Sequence, residues 1–153
     1  TNTTADTFRI AASLVELGCN SAYINKVMFE TKSKEKIMLE REVYDTITYC
    51  ADGKCAIVWV TLDMLKSLNI GEDEIEGLAS IPRQIEGVLI GITMKEKEGG
   101  FFKISVRTNG DIDAAKFCSK FGGGGHKAAA GCSINGSLED VRSQLIKAAE
   151  ETL

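Results

Sequence analysis

Four consecutive glycines, Gly122 to Gly125, stand immediately before His126, the only histidine in the chain. A glycine has no Cβ, so its backbone adopts positive φ and comes close to a bulky anion more readily than that of any other residue. Successive N–H groups in such a segment can form a concave anion site, and an adjacent imidazole adds a donor whose charge depends on pH. The pattern therefore predicts a phosphate-binding loop at residues 122–126.

A second interpretation of the same run is purely structural. Gly122 can end a helix, because glycine is common just beyond the last helical turn. Gly123 to Gly125 would then form a slack loop. The two interpretations differ most clearly at Gly124. In a phosphate-binding loop Gly124 approaches the ligand, whereas in a slack loop it has no specific role.

The residues before the glycines predict a strand with two different faces. Residues 101–108 alternate apolar and polar side chains, which is typical of a strand with one buried face. Lys103, Ser105 and Arg107 should therefore form a row of donors on the other face. A helix capped by Asp111 would lead from this strand to the glycines and bring them near Arg107.

The whole chain predicts an α/β fold. Residues 1–41 show helical spacing of apolar side chains and are expected to form a helical linker, or the end of a larger domain; residues 42–153 should form a second domain. In that domain the patterns predict strands at 43–51, 54–61, 88–95, 101–108 and 131–134, and helices at 62–68, 111–121 and 137–153. We expect a mixed, mostly antiparallel sheet of about five strands flanked by helices.

Composition limits the partners of the chain. With 44% hydrophobic residues the chain can bury a core, and its net charge of −4 argues against a broad electrostatic grip on long nucleic acid. A short anionic ligand in a local pocket remains compatible with that charge. The sequence shows no apolar run of about 18 residues and no signal-peptide pattern, so we expect a cytoplasmic chain without a membrane partner.

Five cysteines are present, at positions 19, 50, 55, 118 and 132, without a C-x-x-C pair. Their spacing and the single histidine argue against a structural zinc site. Cys50 and Cys55 flank Asp52-Gly53, a strong signal for a two-residue hairpin turn that would place the two thiols opposite each other. We expect them to stay reduced in a cytoplasmic setting.

Three segments together resemble a known family. The sequence from Phe121 through the glycines and His126 to Gly131, the preceding Ile104-Ser-Val-Arg-Thr108, and the Ile112-Asp-Ala-Ala-Lys-Phe segment resemble the DHHA1 domain of DHH-family phosphoesterases, above all the nanoRNase (oligoribonuclease-like) branch. Residues 81–88 resemble the segment before that family's central strand, and residues 1–12 the last helical part of the preceding DHH domain.

The resemblance implies roles for particular residues. In that family the G-G-G-H motif and the arginine of the S-x-R-[ST] strand bind substrate phosphate and nucleotide. Carried over to this chain, these residues are Ser105, Arg107, Gly123, Gly124, Gly125 and His126. Lys103 and Lys127 are weaker candidates, and Arg83 is weaker still.

One departure from the family is central. The D-H-H motif, with the aspartates and histidines that hold the metal ions and the attacking water, is absent from this sequence. The resemblance therefore implies the substrate-binding half of a manganese-dependent phosphoesterase that acts on short RNA, linear dinucleotides or small nucleotide phosphates. We expect this chain to hold no metal and no catalytic residue, apart from an assisting role for His126, and to be inactive alone. Its implied partners are its own DHH domain and, through the linker helices, a second copy.

Alternative functions remain open at this point. Domains like DHHA1 also occur in alanyl-tRNA synthetases, which suggests a non-catalytic nucleic-acid-binding module, although His126 and the acidic charge point away from it. A single-strand exonuclease or an exopolyphosphatase of the same family is another alternative, but a domain this short favours small substrates. The last alternative is a folding or dimerisation domain with a vestigial pocket.

Overall fold

The computed structural model describes residues 3–71, 75 and 77–153. The chain divides into two compact units, Thr1–Ser33 and Lys34–Leu153. The predicted boundary at residues 41 and 42 falls inside a helix, Lys34–Asp45, that belongs to the second unit. That residues 1–41 represent the end of a DHH domain stays a prediction.

The first unit is helical. Helix α1 (Ala5–Glu16) begins at Thr4, whose side chain accepts a hydrogen bond from the backbone of Thr7. Helix α2 (Ser21–Asn25) begins at Asn20 and continues as a π-helical turn, Lys26–Glu30. None of the residues in these three elements is buried, so the apolar side chains that mark their helical spacing are exposed.

The second unit is built on a six-stranded sheet in the order β1-β2-β3-β4-β6-β5. The strands are β1 (Thr48–Cys50), β2 (Cys55–Val60), β3 (Ile90–Lys97), β4 (Phe101–Thr108), β5 (Gly124–His126) and β6 (Ala129–Asn135). The helices are α3 (Lys34–Asp45), α4 (Leu62–Ser67), α5 (Ala114–Ser119) and α6 (Leu138–Glu150). Among the described strands only the β2–β3 pair is parallel, so the predicted mixed, mostly antiparallel α/β fold is confirmed.

Two cores cover different parts of this sheet. One core joins β2, β3, β4 and β6 to α5 and α6, with Phe117 and Leu145 fully buried. The other joins α3, α4 and β2 to the segment that contains the 3₁₀ turns Leu78–Ser80 and Pro82–Gln84. On the face of the second core, the described part of this cover reaches β4 at the Leu78–Ser80 turn, and the polar side chains of β4 and β6 beyond it remain accessible.

Three local predictions were wrong. Residues 43–45 continue α3 rather than start a strand, because Leu39 and Val43, four residues apart, are both fully buried on one helical face. Helix α5 begins at Asp113, whose carboxylate accepts a hydrogen bond from the backbone N–H of Lys116, and not at Asp111. The hairpin turn contains four residues, from Ala51 to Lys54, rather than two.

Candidate anion-binding site

Cross-strand pairing places the polar row of β4 opposite the glycine segment. Ser105 pairs with Gly131 of β6, which pairs in turn with Gly124 of β5. Arg107 pairs with Ala129, which pairs with His126. Directly paired residues in an antiparallel sheet project to the same face. Two parallel rows of three residues therefore cross the uncovered face of the sheet.

An open cavity of about 750 Å³ lies over these rows. Its lining combines polar side chains from β4 and β6 with small residues from the glycine segment and β6. The lining residues that bear on the chemistry are Lys103, Ser105, Arg107, Gly124, Gly125, Ala129, Gly131 and Ser133. Gly123 and His126, predicted with this group, are adjacent in sequence but do not line the cavity itself.

The charge of the lining suits an anion. Lys103 and Arg107 contribute positive charge, and none of the described residues in the lining carries a carboxylate. Arg107 is half-buried, its Nη1 donates a 3.1 Å hydrogen bond to the carbonyl of Val106, and it forms no ion pair within residues 3–71, 75 and 77–153. Its remaining guanidinium donors are free to bind a ligand, and a guanidinium matches the geometry of phosphate oxygens.

The first two glycines of the run join α5 to the sheet. Gly122 has a φ of 71°, and the N–H groups of Gly122 and Gly123 donate to the carbonyls of Ser119 and Cys118. These two bonds form a Schellman motif that ends α5. A Cβ at Gly123 would collide with the Gly131 carbonyl and the Cys132 side chain. Gly123 is therefore required for packing against β6, and its contact with a ligand stays a prediction.

The last two glycines differ from each other. Gly124 has an ordinary φ, and a Cβ built there would meet no protein atom within 4 Å. Gly125 has a φ of 152°, and its Cβ would lie 2.6 Å from the Ala129 carbonyl oxygen. The helix-capping part of the structural interpretation is thus correct for Gly122. The slack loop is wrong, because Gly124 to His126 form strand β5.

The floor between β4 and β5 has almost no side chains. Ala129 and Gly131 occupy the central positions of the two rows, and a Cβ at Gly131 would lie 3.0 Å from the Ile104 carbonyl oxygen. A ligand can therefore approach the backbone of β6 between Arg107 and the glycines. Ala129 and Gly131 were not among the predicted site residues, although a glycine inside a strand is a known sign of close backbone approach.

The Pro82–Gln84 turn lies on β3, next to the strand that carries Arg107, although none of its residues lines the cavity. A Cβ at Gly91 would lie 2.7 Å from the Arg83 nitrogen, so the absence of a side chain lets this turn lie directly on β3. Gly91 is the cross-strand partner of Arg107. The Asn109 side chain also holds the turn, since its Nδ2 donates to the carbonyls of Val88 and Arg83. The backbone of Arg83 is thereby fixed beside the Arg107 end of the cavity.

Two cysteines lie behind the glycine segment. A hydrogen bond with Cys132, together with burial, raises the pKa of Cys118, while the positive charge of Arg107 acts weakly in the opposite direction. The same bond lowers the pKa of Cys132. Both residues are free cysteines in the core that supports β6.

The other candidate lysine belongs elsewhere. Lys127 forms an exposed 3.4 Å ion pair with Asp111 and does not line the cavity. In the described part of the chain, no three His, Cys, Asp or Glu residues converge as metal ligands would. The helices described there are also too short or too polar to cross a bilayer.

Comparisons with known proteins place this architecture in a family. The model of the DHHA1 domain matches residues 52–153. The bifunctional oligoribonuclease and PAP phosphatase NrnA of Thermus thermophilus is 28% identical over 99% of this chain and 45% of its own length. The chain thus spans about half the length of this relative.

Solved structures share the fold. An exopolyphosphatase-related protein from Bacteroides fragilis superposes with a TM-score of 0.83 at 22% identity, covering 97% of this chain and 45% of that chain. A pGpG-specific phosphodiesterase from Vibrio cholerae gives 0.57 at 13% identity, covering 100% of this chain and 54% of that chain. The matched residues 52–153 include most of the sheet and the whole glycine segment. This chain belongs to the DHHA1 domain family.

Proposed function

We propose that this chain is the substrate-binding part of a DHH-family phosphoesterase that hydrolyses short oligonucleotides or small nucleotide phosphates. The observation that carries the proposal is the half-buried Arg107, which forms no ion pair with the described residues and faces the glycine strand across Ala129 and Gly131. The described residues that line the cavity include no carboxylate. Membership in the DHHA1 family and the likeness to an oligoribonuclease support the same class of substrate.

Each predicted residue has a definite role in this proposal. Arg107 binds two oxygens of one phosphoryl group through its planar guanidinium, and Ser105 adds a hydroxyl donor. Along β5 the N–H groups of Gly124 and Gly125 point alternately toward and away from β6, so one of the two is a donor for the ligand, and neither residue has a side chain that blocks it. His126 approaches from the edge strand and orients the ligand, while Gly123 supports the arrangement by its packing.

The chemistry of hydrolysis is assigned to another part of the parent protein. The described residues contain no ligand set that fits manganese, so the metal and the attacking water would belong to a DHH domain. We therefore propose that this chain binds substrate but does not hydrolyse it. Its parent would act in the cytoplasm, together with its own DHH domain and as a homodimer.

Calorimetric titration of the chain tests the binding part of the proposal. A 5′-phosphorylated dinucleotide, a nucleoside 3′,5′-bisphosphate and inorganic polyphosphate serve as ligands, and a long RNA serves as the comparison. We expect the short nucleotide ligands to bind and Arg107→Ala to abolish the signal. Preference for long RNA would instead support a nucleic-acid-binding module, and preference for polyphosphate an exopolyphosphatase.

A separate assay tests the absence of catalysis. The purified chain is incubated with manganese and the dinucleotide, and products are separated by chromatography. We expect no turnover. Turnover that copurifies with the chain and is lost in Arg107→Ala would contradict the proposal that this chain binds substrate without hydrolysing it.

A further inference from the structure

We propose that Cys118 and Cys132 form a reversible disulfide that weakens ligand binding at the neighbouring anion site. The oxidant is a small hydroperoxide, such as hydrogen peroxide, and a dithiol reductant restores the thiols. The loss of binding rests on the proposed function of the Arg107 site, whereas formation of the disulfide does not.

The two thiols already lie next to each other. Cys118 is near the end of α5, Cys132 is on β6, and a hydrogen bond joins their side chains. Both are free cysteines in the core that joins the sheet to α5 and α6. Because their sulfurs are in contact, a bond between them needs only a small movement of the backbone.

Cys132 is the more reactive of the two thiols. It is 8% exposed and is among the residues that line the cavity, whereas Cys118 is fully buried. The hydrogen bond from Cys118 lowers the pKa of Cys132, against the opposing effect of burial, and the thiolate is the form that attacks an oxidant. Accessibility and hydrogen bonding therefore select the same sulfur.

The disulfide forms in two balanced steps. The Cys132 thiolate attacks one oxygen of the hydroperoxide, so a sulfur–oxygen bond forms, the oxygen–oxygen bond breaks, and the departing oxygen takes up a proton. The sulfur loses two electrons and becomes a sulfenic acid, while the peroxide gains them. The Cys118 sulfur then attacks the sulfenic sulfur and displaces its hydroxyl group, which leaves as water with the Cys118 proton.

The glycine segment connects this pair to the binding site. The N–H of Gly123 donates a 3.0 Å hydrogen bond to the Cys118 carbonyl, and a Cβ on Gly123 would collide with the Cβ of Cys132. A disulfide bond is about 2.05 Å long, about 1.5 Å shorter than the contact between two thiols. Closing the bond therefore pulls the end of α5 toward β6, where Gly123 has no free space.

Strand β5 follows Gly123 directly, so the displacement reaches the site. Gly124 and His126 are paired with β6, and a shift of Gly123 changes their positions relative to Arg107. We expect the oxidised chain to lose one hydrogen bond to the anion and about tenfold in affinity. The coupling is reciprocal, because a ligand that prefers the reduced form also protects it from oxidation.

The test measures disulfide formation and binding on the same samples. The chain is treated with hydrogen peroxide, free thiols are alkylated, and mass spectrometry of the nonreduced digest identifies the Cys118–Cys132 linked peptides. Titration with the 5′-phosphorylated dinucleotide compares the reduced chain, the oxidised chain, and the oxidised chain after dithiothreitol. We expect the linked peptides to appear, the affinity to fall, and dithiothreitol to restore it.

Three variants assign the effect to this pair. Cys118→Ala should give no linked peptide, and Cys132→Ala should bind equally well before and after peroxide. Cys50→Ala is the matched control, because it removes a second hydrogen-bonded thiol pair, Cys50 and Cys55, whose strand β1 lies at the other edge of the sheet from β5. It should lose affinity on oxidation as the wild type does. Circular dichroism confirms that each variant is folded.

The outcomes separate this inference from the proposed function. Linked peptides with unchanged affinity, or no linked peptides at all, would overturn the inference and leave the proposed function intact, provided that the reduced chain binds the dinucleotide. A loss of affinity that persists in Cys132→Ala would also overturn it, because another cysteine would then be responsible. A reduced chain that binds no dinucleotide would overturn both proposals.

Discussion

Arg107 and His126 lie at the same level of the sheet on opposite sides of β6, because both are paired with Ala129. Two strand spacings separate their Cα atoms by about 10 Å, and Ala129 is the residue of β6 between them. Two long side chains at this separation can reach one small ligand between them. The relationship explains how a strand and a glycine segment, well separated in sequence, can serve a single site.

Replacing Arg107 with Lys should weaken ligand binding while leaving the fold intact. A lysine keeps the positive charge but loses the planar pair of donors, and we expect a loss of about 1–3 kcal/mol in binding free energy. Titration of both proteins with the 5′-phosphorylated dinucleotide gives the comparison, and thermal unfolding gives the control. Equal affinities would remove Arg107 from the binding site.

Replacing Gly124 with Ala should reduce binding without reducing stability. The added methyl meets no protein atom within 4 Å, and the φ of Gly124 suits any residue, so only a ligand can oppose it. Gly125→Ala is the matched comparison, because its methyl would lie 2.6 Å from both the Ala129 carbonyl oxygen and the Cα of Ala130.

Thermal unfolding and dinucleotide titration distinguish the two variants. We expect Gly124→Ala to unfold at the wild-type temperature with weaker binding, and Gly125→Ala to lose about 1–3 kcal/mol of unfolding free energy. Wild-type affinity in Gly124→Ala would mean that no ligand passes over this strand.

Much of the fold could be predicted because local pattern and burial agree. Strand β4 has the predicted bounds, since its alternation is complete and glycine turns stand at both ends. The predicted donor face of Lys103, Ser105 and Arg107 is confirmed, because residues 102, 104, 106 and 108 are the buried ones.

Tertiary contacts determine the elements and site residues that local pattern did not predict. Glycine has low strand propensity, yet Gly124 to His126 form a strand because the edge of β6 supplies hydrogen-bonding partners. Val43 is β-branched and predicts a strand, but it packs with Leu39 on a helical face. Ala129 and Gly131 were missed as parts of the site because their contribution is the absence of a side chain, which only the sheet register shows.

The thiol of Cys50 should react with iodoacetamide at a lower pH than an ordinary thiol. A hydrogen bond with Cys55, its cross-strand partner, lowers the pKa of Cys50, while partial burial and the charge of Glu150 act against this effect. The thiolate is the reactive form, so a lowered pKa moves the rise in alkylation rate to lower pH.

Mass spectrometry of the Cys50 peptide across pH measures this shift. In Cys55→Ala the donor is lost and the profile should move to higher pH, whereas Cys55→Ser keeps a hydroxyl donor and should stay near the wild-type profile. Identical profiles for all three proteins would show that the hydrogen bond does not control Cys50.

Replacing Gly91 with Ala should destabilise the second unit and also disturb the site. The new methyl would lie 2.7 Å from the backbone nitrogen of Arg83 and 3.1 Å from its Cα, and backbone atoms cannot move aside as a flexible side chain can. The Pro82–Gln84 turn must therefore lift from β3, at a cost of about 1–3 kcal/mol for overpacking. Because Gly91 is the cross-strand partner of Arg107, we expect that displacement to disturb the position of Arg107. Urea unfolding should show a lower free energy of unfolding, and dinucleotide titration should show weaker binding. Gly124→Ala is the control, because it is expected to affect binding alone. Wild-type stability in Gly91→Ala would contradict the close packing of this turn on the sheet.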